Sequence, residues 1–207
     1  MNKLFVGALT SATLLLASTT TFAASTVDLT VTGLIVPSAC TPSLSSGGVI
    51  DHGKISAKDL NPDGTTIIGN HTLTMSVTCE GQTLIALQSE DNRRGSSISN
   101  TDYGLGLING NQKLGHYVLR IANPLADAVE VQSIASVNGQ DNWYLERFWD
   151  PTLYMSVAVM SDASQPVPVQ DLQMDLEVQT IIYRTDGLDL SNEVQIDGSA
   201  TLTVIYL

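Results

Sequence analysis

Three histidines and two cysteines are the residues of this chain best suited to chemistry. His52, His71 and His116 could each move a proton or hold a metal. None of them belongs to a His-Glu-x-x-His or comparable ligand spacing. No Gly-x-Ser-x-Gly elbow presents a nucleophile, and no glycine-rich loop is arranged to cradle a phosphate. A histidine brought beside a serine by the fold is a geometry that spacing does not report. The acidic run from Thr185 to Glu193, TDGLDLSNE, lacks the oxygen-ligand spacing of a calcium-binding loop and reads as a solvated turn between the last two strands. Arg93-Arg94 reads as part of a solvent loop. Trp143, Tyr144, Phe148, Trp149 and Tyr154 fall close together in sequence. They either line a sugar-binding surface or pack a core, and core packing is the stronger expectation. These residues predict no enzyme, no cofactor and no metal site.

Cys40 and Cys79 depend on where the chain resides. Lys3 followed by the apolar run Leu4 to Ala17, then Thr21-Phe22-Ala23, has the form of a Sec signal peptide cleaved after Ala23. No later apolar run reaches the ~18 residues a membrane span needs. Export places the two cysteines where disulfides form. If they pair, the connectivity is not in doubt, and closing a loop of about forty residues contributes roughly 4 kcal/mol on the chain-entropy model. Two free buried thiols are the other reading. Loss of Lys3 takes the formal charge from −12 to −13. That acidity disfavours nucleic acid and anionic membrane surfaces as partners.

The elements that must position these residues read as strands throughout. Apolar alternation recurs between turn signals over 49–55, 71–79, 83–87, 103–108, 117–122, 129–134, 153–160, 172–183 and 200–207. Loops are expected over 56–70 and 88–101, with one helical turn near Ala57 to Leu60. Asn109-Gly110-Asn111 marks a hairpin. Residues 142–150, which carry both tryptophans, have no firm assignment. The spacing predicts an all-β sandwich built as one domain.

The two ends carry the sharpest pattern. Val27, Leu29, Val31 and Ile35 alternate with Asp28, Thr30, Thr32 and Leu34, and Gly33 interrupts their apolar face. At the other end, Ala200, Leu202, Val204 and Tyr206 share one face behind Gly198. Neither run contains a lysine, a proline or a bulge signal, the usual protections of an exposed edge. An ordinary sandwich could use both as edge strands. Alternatively, the starting strand of one molecule fills a missing place in the sheet of the next.

Taken in order, these features resemble the chaperone–usher pilins, the fimbrial subunits of Gram-negative bacteria. The resemblance rests on Leu29-x-Val31-x-Gly33-x-Ile35 leading through Val36-Pro37-Ser38-Ala39 into Cys40, on DHGKI (Asp51 to Ile55), on Cys79 closing SVTC, and on Gly198 with penultimate Tyr206. Within that superfamily the chain is similar to the GltF-type fimbrial-like periplasmic proteins. The resemblance implies an incomplete immunoglobulin-like (pilin) β-sandwich over 40–207, preceded by a signal peptide over 1–23 and an N-terminal donor-strand extension over 24–39. It implies a disulfide between Cys40 and Cys79 and a donor face of Leu29, Val31, Gly33 and Ile35, with Val27 as an extra contact. It also implies a chaperone and acceptor edge of Gly198, Ala200, Leu202, Val204 and Tyr206. The implied partners are a periplasmic pilus chaperone, an outer-membrane usher and other subunits joined head to tail by donor-strand complementation. The implied location is the periplasm and then the fimbrium. The alternative is a monomeric periplasmic binding or regulatory protein whose own arm closes its groove.

Overall fold

The computed structural model describes residues 39–207, together with Thr30 and Thr32. Val27, Leu29, Val31, Gly33 and Ile35, the expected donor face, lie outside the described residues. The described chain is all-β: besides strands it holds three single turns of 3-10 helix. In chain order the strands are β1 (Cys40–Leu44), β2 (Thr66–Thr83), β3 (Ile85–Asp91), β4 (Tyr103–Gly104), β5 (Leu107–Ile108), β6 (Gln112–Lys113), β7 (Gly115–Ala126), β8 (Val129–Ser136), β9 (Tyr144–Leu145), β10 (Phe148–Trp149), β11 (Tyr154–Val159), β12 (Val169–Ile182) and β13 (Ala200–Tyr206).

One antiparallel path runs β1-β2-β12-β7-β8-β11-β3-β13. It curls until its two end strands approach each other, and the amide of Cys40 in β1 donates to the Tyr206 hydroxyl in β13 at 2.9 Å. The core lies inside the curl. Met75, Val77, Leu119, Ile121, Met174 and Leu176 from one half of the path meet Ile85, Leu87, Met155 and Val157 from the other. The period-2 pattern of the sequence makes this core, because alternate side chains of β2 and β12 fall on the same inner face.

Two expectations about strands need correction. Residues 49–55 form no strand. Gly53 takes a left-handed φ of 63° and its amide bonds the Asp51 carboxylate at 2.8 Å, which bends the segment away from a ladder. Conversely, β2 begins at Thr66, inside the expected loop, and continues through Glu80-Gly81 without turning. Its partner β12 supplies the reason: Ile182 pairs with Thr66 at one end and Val169 with Thr83 at the other. The hairpin at Asn109-Gly110-Asn111 is present, although it joins the short strands β5 and β6 rather than two long ones.

The β7–β8 connection is where the remaining segments are used. These strands pair only at Leu125↔Glu130 and Ala126↔Val129, across a turn in which Asp127 and Ala128 both have positive φ. Beyond that point they diverge, and residues 144–149 fill the opening. β9 pairs with β8 through Leu145↔Ile134, and β10 pairs with β7 through Trp149↔Leu119. Trp149 enters the main core at 1% exposure. Trp143 covers a second cluster with Ala86, Ile134 and Ala158. The aromatic set therefore divides. Both tryptophans are packed, whereas Tyr144, Leu145 and Phe148 face outward.

Candidate functional site

The other seam, between β1 and β13, has no such plug among the described residues. Among the described residues β1 pairs only with β2 and β13 only with β3. The expected acceptor edge lies here. Ala200, Leu202, Val204 and Tyr206 share one face of β13 and pack against the core, yet each remains half-covered, in contrast to the fully buried inner faces of β2 and β3. Gly198 precedes the strand against Tyr117 and Leu105. A Cβ there would come within 2.9 Å of the Tyr117 ring and 3.0 Å of Leu105, so glycine is what lets this edge lie flat on the core.

The alternation continues upstream, which the sequence reading missed. Leu188, Leu190, Val194 and Ile196 are also half-covered against the core, with Asn192 and Gly198 as the two positions lacking a hydrophobic side chain in the even-numbered series from Leu188 to Tyr206. This series was legible in TDGLDLSNEVQIDGSATLTVIY. It was passed over because the acidic odd positions make the segment look like a solvated turn. Leu44, Ile50 and His52 form the facing wall. Between the two walls a cavity of about 200 Å³ reaches core residues Leu73, Leu119 and Leu176. It is followed by a wider opening of about 930 Å³ between 50–60 and 190–196. Among the described residues the seam is thus an elongated groove with the free edge of β13 along part of one side, apolar over its inner part and shut at the Tyr206 end. An extended chain laid along such a groove would find ladder partners on the free edge of β13 and a floor for alternate side chains.

The walls are anchored by specific contacts. Cys40 and Cys79 are joined by a disulfide and face each other across β1 and β2, fixing the start of β1, whose Cys40 amide bonds Tyr206. Arg93 is no free solvent residue. Its guanidinium grips Asp197 through Nε at 2.9 Å and Nη2 at 2.7 Å, which holds the Asp197 carboxyl below its ordinary pKa and pins the entry to β13. The acidic stretch upstream does carry turns: Asp189 accepts from the amide and hydroxyl of Ser191, and Arg184 pairs with Asp186.

The histidines separate into two places. His52 and His71 meet edge to face, with ring centroids 4.9 Å apart, and His52 Nε2 lies 3.0 Å from the Thr180 hydroxyl. Burial, followed by the neighbouring His71, lowers the His52 pKa, and Asp51 opposes the shift. His116 lines neither cavity of the groove. Its Nε2 is 3.6 Å from Asp102, its ring tilts against Tyr183, and its Nδ1 is sealed from solvent without a partner. Burial lowers its pKa despite Asp102. Ser97, near in the fold, spends its hydroxyl on Tyr183 at 3.0 Å. Among the described residues no three His, Cys, Asp or Glu side chains gather as a metal site would require.

Comparison with known proteins gives relatives rather than a reaction. A family model described as "Protein of unknown function (DUF1120)" matches residues 29–105. That span contains the disulfide, the 49–56 wall and strands β1 to β4. Over 89% of its length the chain is 28% identical to "Uncharacterized protein YhcF" of Escherichia coli (strain K12), covering 92% of that protein. A shorter stretch, 36% of this chain and 31% of the relative, is 38% identical to "Protein GltF" of the same organism. The chain is therefore similar to YhcF across nearly all of both proteins, and to GltF over one shared segment.

Proposed function

We propose that this chain is a pilin-like assembly protein that accepts an extended apolar strand in the β1/β13 groove and donates its own residues 27–35 to the groove of a second copy. The observation that carries this is the half-covered series Leu188 to Tyr206, whose last part, β13, has one edge unpaired among the described residues. The physical fit is direct. The segment before Cys40 has apolar residues at every second position, which is what a groove with one ladder edge and an apolar floor selects. Burying three or four such side chains at ~1.5–3 kcal/mol each yields on the order of 5–12 kcal/mol gross. A head-to-tail contact of this type does not close, so repetition makes a fibre. In this reading the protein is exported, a periplasmic chaperone occupies the groove first, an outer-membrane usher receives the subunit, and the fibre contributes to adhesion.

The second reading, a self-closed monomer, draws on the position of Cys40. Because Cys40 sits beside Tyr206, the arm begins at the groove's closed end. Laid back along β13, the arm would run parallel to it. A strand from a second copy is free to run antiparallel, which is the slightly more stable pairing.

The test is co-expression of the full chain with the cognate chaperone, followed by denaturing gels of unheated samples, with and without residues 24–36. The expected result is a ladder of heat-sensitive oligomers that the deletion abolishes. A monomer band in both samples rules out polymerisation through the arm. A monomer that is stable without chaperone, and that loses stability on the deletion, selects the self-closed form. Gly33→Leu refines the result: a side chain at the close-approach point should block strand exchange while the sheet remains folded.

A further inference from the structure

The groove wall formed by 49–56 is held to the sheet by few contacts. It makes no ladder with a strand. The hydrogen bonds of its backbone amides are local, Val49 to Ser46 and Gly53 to Asp51. Its polar attachment to the sheet is the His52 to Thr180 contact, and Ile50 adds partial packing. The socket for His52 is a specific construction. The β2/β12 register shifts between Thr180↔Gly69 and Ile181↔Ile67, a bulge that places one extra residue on β2. Gly69 leaves the space: a Cβ there would lie 2.7 Å from His71 Nε2 and 2.8 Å from His52 Cε1. Thr180, 3% exposed, supplies the polar partner. Bulge, glycine, threonine and two histidines therefore converge on one point, at the place where the wall meets the groove.

We propose that His52 is a proton-sensitive latch: it clamps the 49–56 wall to the sheet near neutral pH and releases it in mild acid, loosening the grip of the groove on an inserted strand. The clamping concerns the wall itself, whereas its effect on strand retention rests on the strand-accepting reading above. Protonation does not abolish the bond to Thr180, since Nε2–H can donate to the hydroxyl. The penalty is an imidazolium held in a half-apolar socket against a second imidazole. The ionisable groups around it are His71 from β2, Asp51 and Lys54 from its own segment, and Glu193 across the wider opening. From β12 the two cavities that His52 lines receive Leu176, Val178, Thr180 and Ile182, none of which ionises. The sign follows. With its pKa lowered in the closed state from the ordinary 6.5, His52 holds the latch fully shut above that value. The hold weakens as pH falls below it, because the open state binds the proton more readily. At pH 5.5 an open-state histidine is protonated about ten to one, so opening rises by up to about tenfold for that residue.

The experiment uses the full chain. Hydrogen–deuterium exchange of peptides covering 49–56 is compared at pH 7.5 and 5.5 after correction for intrinsic rates. In parallel, the dissociation of a labelled synthetic peptide spanning residues 24–36 is followed at the same two pH values. The expected result is about tenfold more opening and correspondingly faster peptide release in acid. Thr180→Val should open the wall at both pH values, and His71→Asn should move release to lower pH. NMR titration of the His52 ring in the unmodified chain, which needs no variant, should give a midpoint below 6.5. Equal exchange at both pH values, or an unshifted His52 midpoint, overturns the latch. A wall that opens in acid in a chain that binds no peptide at either pH leaves the latch standing and removes the strand-accepting reading instead.

Discussion

The curled sheet has two seams, and the chain treats them oppositely. Where β7 and β8 diverge, residues 144–149 enter the opening, extend both ladders and bury Trp149. Where β1 and β13 approach, nothing in the described chain enters, and four side chains of β13 stay half-covered over the core. The contrast shows that this sequence is able to plug a seam with its own residues. One seam is sealed with an aromatic insert and the other is lined with an aliphatic alternation, which on the proposed function divides the molecule into a part that secures the fold and a part that would receive a strand.

That division predicts different consequences for similar truncations. Trp149→Ala removes a fully enclosed side chain and should cost about 3–5 kcal/mol, lowering the midpoint of thermal unfolding by roughly 10 °C for a domain of this size. Leu202→Ala removes a half-covered side chain and should cost below about 2 kcal/mol in the free protein, yet it should weaken binding of the 24–36 peptide measurably. Circular dichroism melts and peptide anisotropy on both variants check this. If Leu202→Ala destabilises the free chain as much as Trp149→Ala, the two seams are energetically alike and the contrast fails.

The next effect concerns the disulfide, which serves the open seam. Cys40 and Cys79 are 39 residues apart in sequence, and replacing both with serine should cost roughly 2–4 kcal/mol. Loss of stability alone would make the bridge a general staple. Because Cys40 also places its amide against Tyr206, the double variant should in addition expose the Tyr206 end of the groove. Faster amide exchange in β13, with β9 and β10 unchanged, is the specific signature.

How much of this was readable in the sequence follows from the same contrast. Period-2 alternation identifies the core face of β2, β12 and β13, because side-chain direction in a strand depends only on parity. The insert at 142–150 was not readable. Its strands are two residues each, and its role depends on where β7 and β8 separate, a tertiary fact. The 49–56 wall was misread as a strand since Val49, Ile55 and their neighbours alternate, while the bend at Asp51-His52-Gly53 decides otherwise. The groove's upstream half was hidden for the opposite reason. Leu188 to Ile196 alternate correctly, but their acidic neighbours signal solvent, and both statements are true of an edge whose outer face is wet. The socket under His52 was invisible, because a bulge at Gly69 is a property of the β2/β12 register and leaves no mark on either strand alone.

The smallest effect sharpens the comparison on the pH axis. The β7–β8 turn is tied to β12 by the Asp127 carboxylate, which accepts from the amides of Asp171 at 2.8 Å and Gln170 at 3.1 Å and from Gln82 Nε2 at 2.7 Å. The Gln82 bond first, then the backbone amides, lowers its pKa from the ordinary 3.8. A carboxylate shifted in that direction contributes stability that is present above 3.8 and is lost as pH falls through its folded value. The site is solvent-exposed, so the contribution is small. It should appear as a few-fold rise in exchange of the Gln170 and Asp171 amides only in strong acid. Asp127→Asn should abolish that response while keeping a residue that tolerates the left-handed turn. The two seams should then loosen in separate windows: the receiving seam beginning below 6.5 through His52, the sealed seam only below 3.8 through Asp127. A single acid transition shared by 49–56 and 170–171 would mean that the sheet opens as one unit, and the distinction between a securing seam and a receiving seam would not survive it.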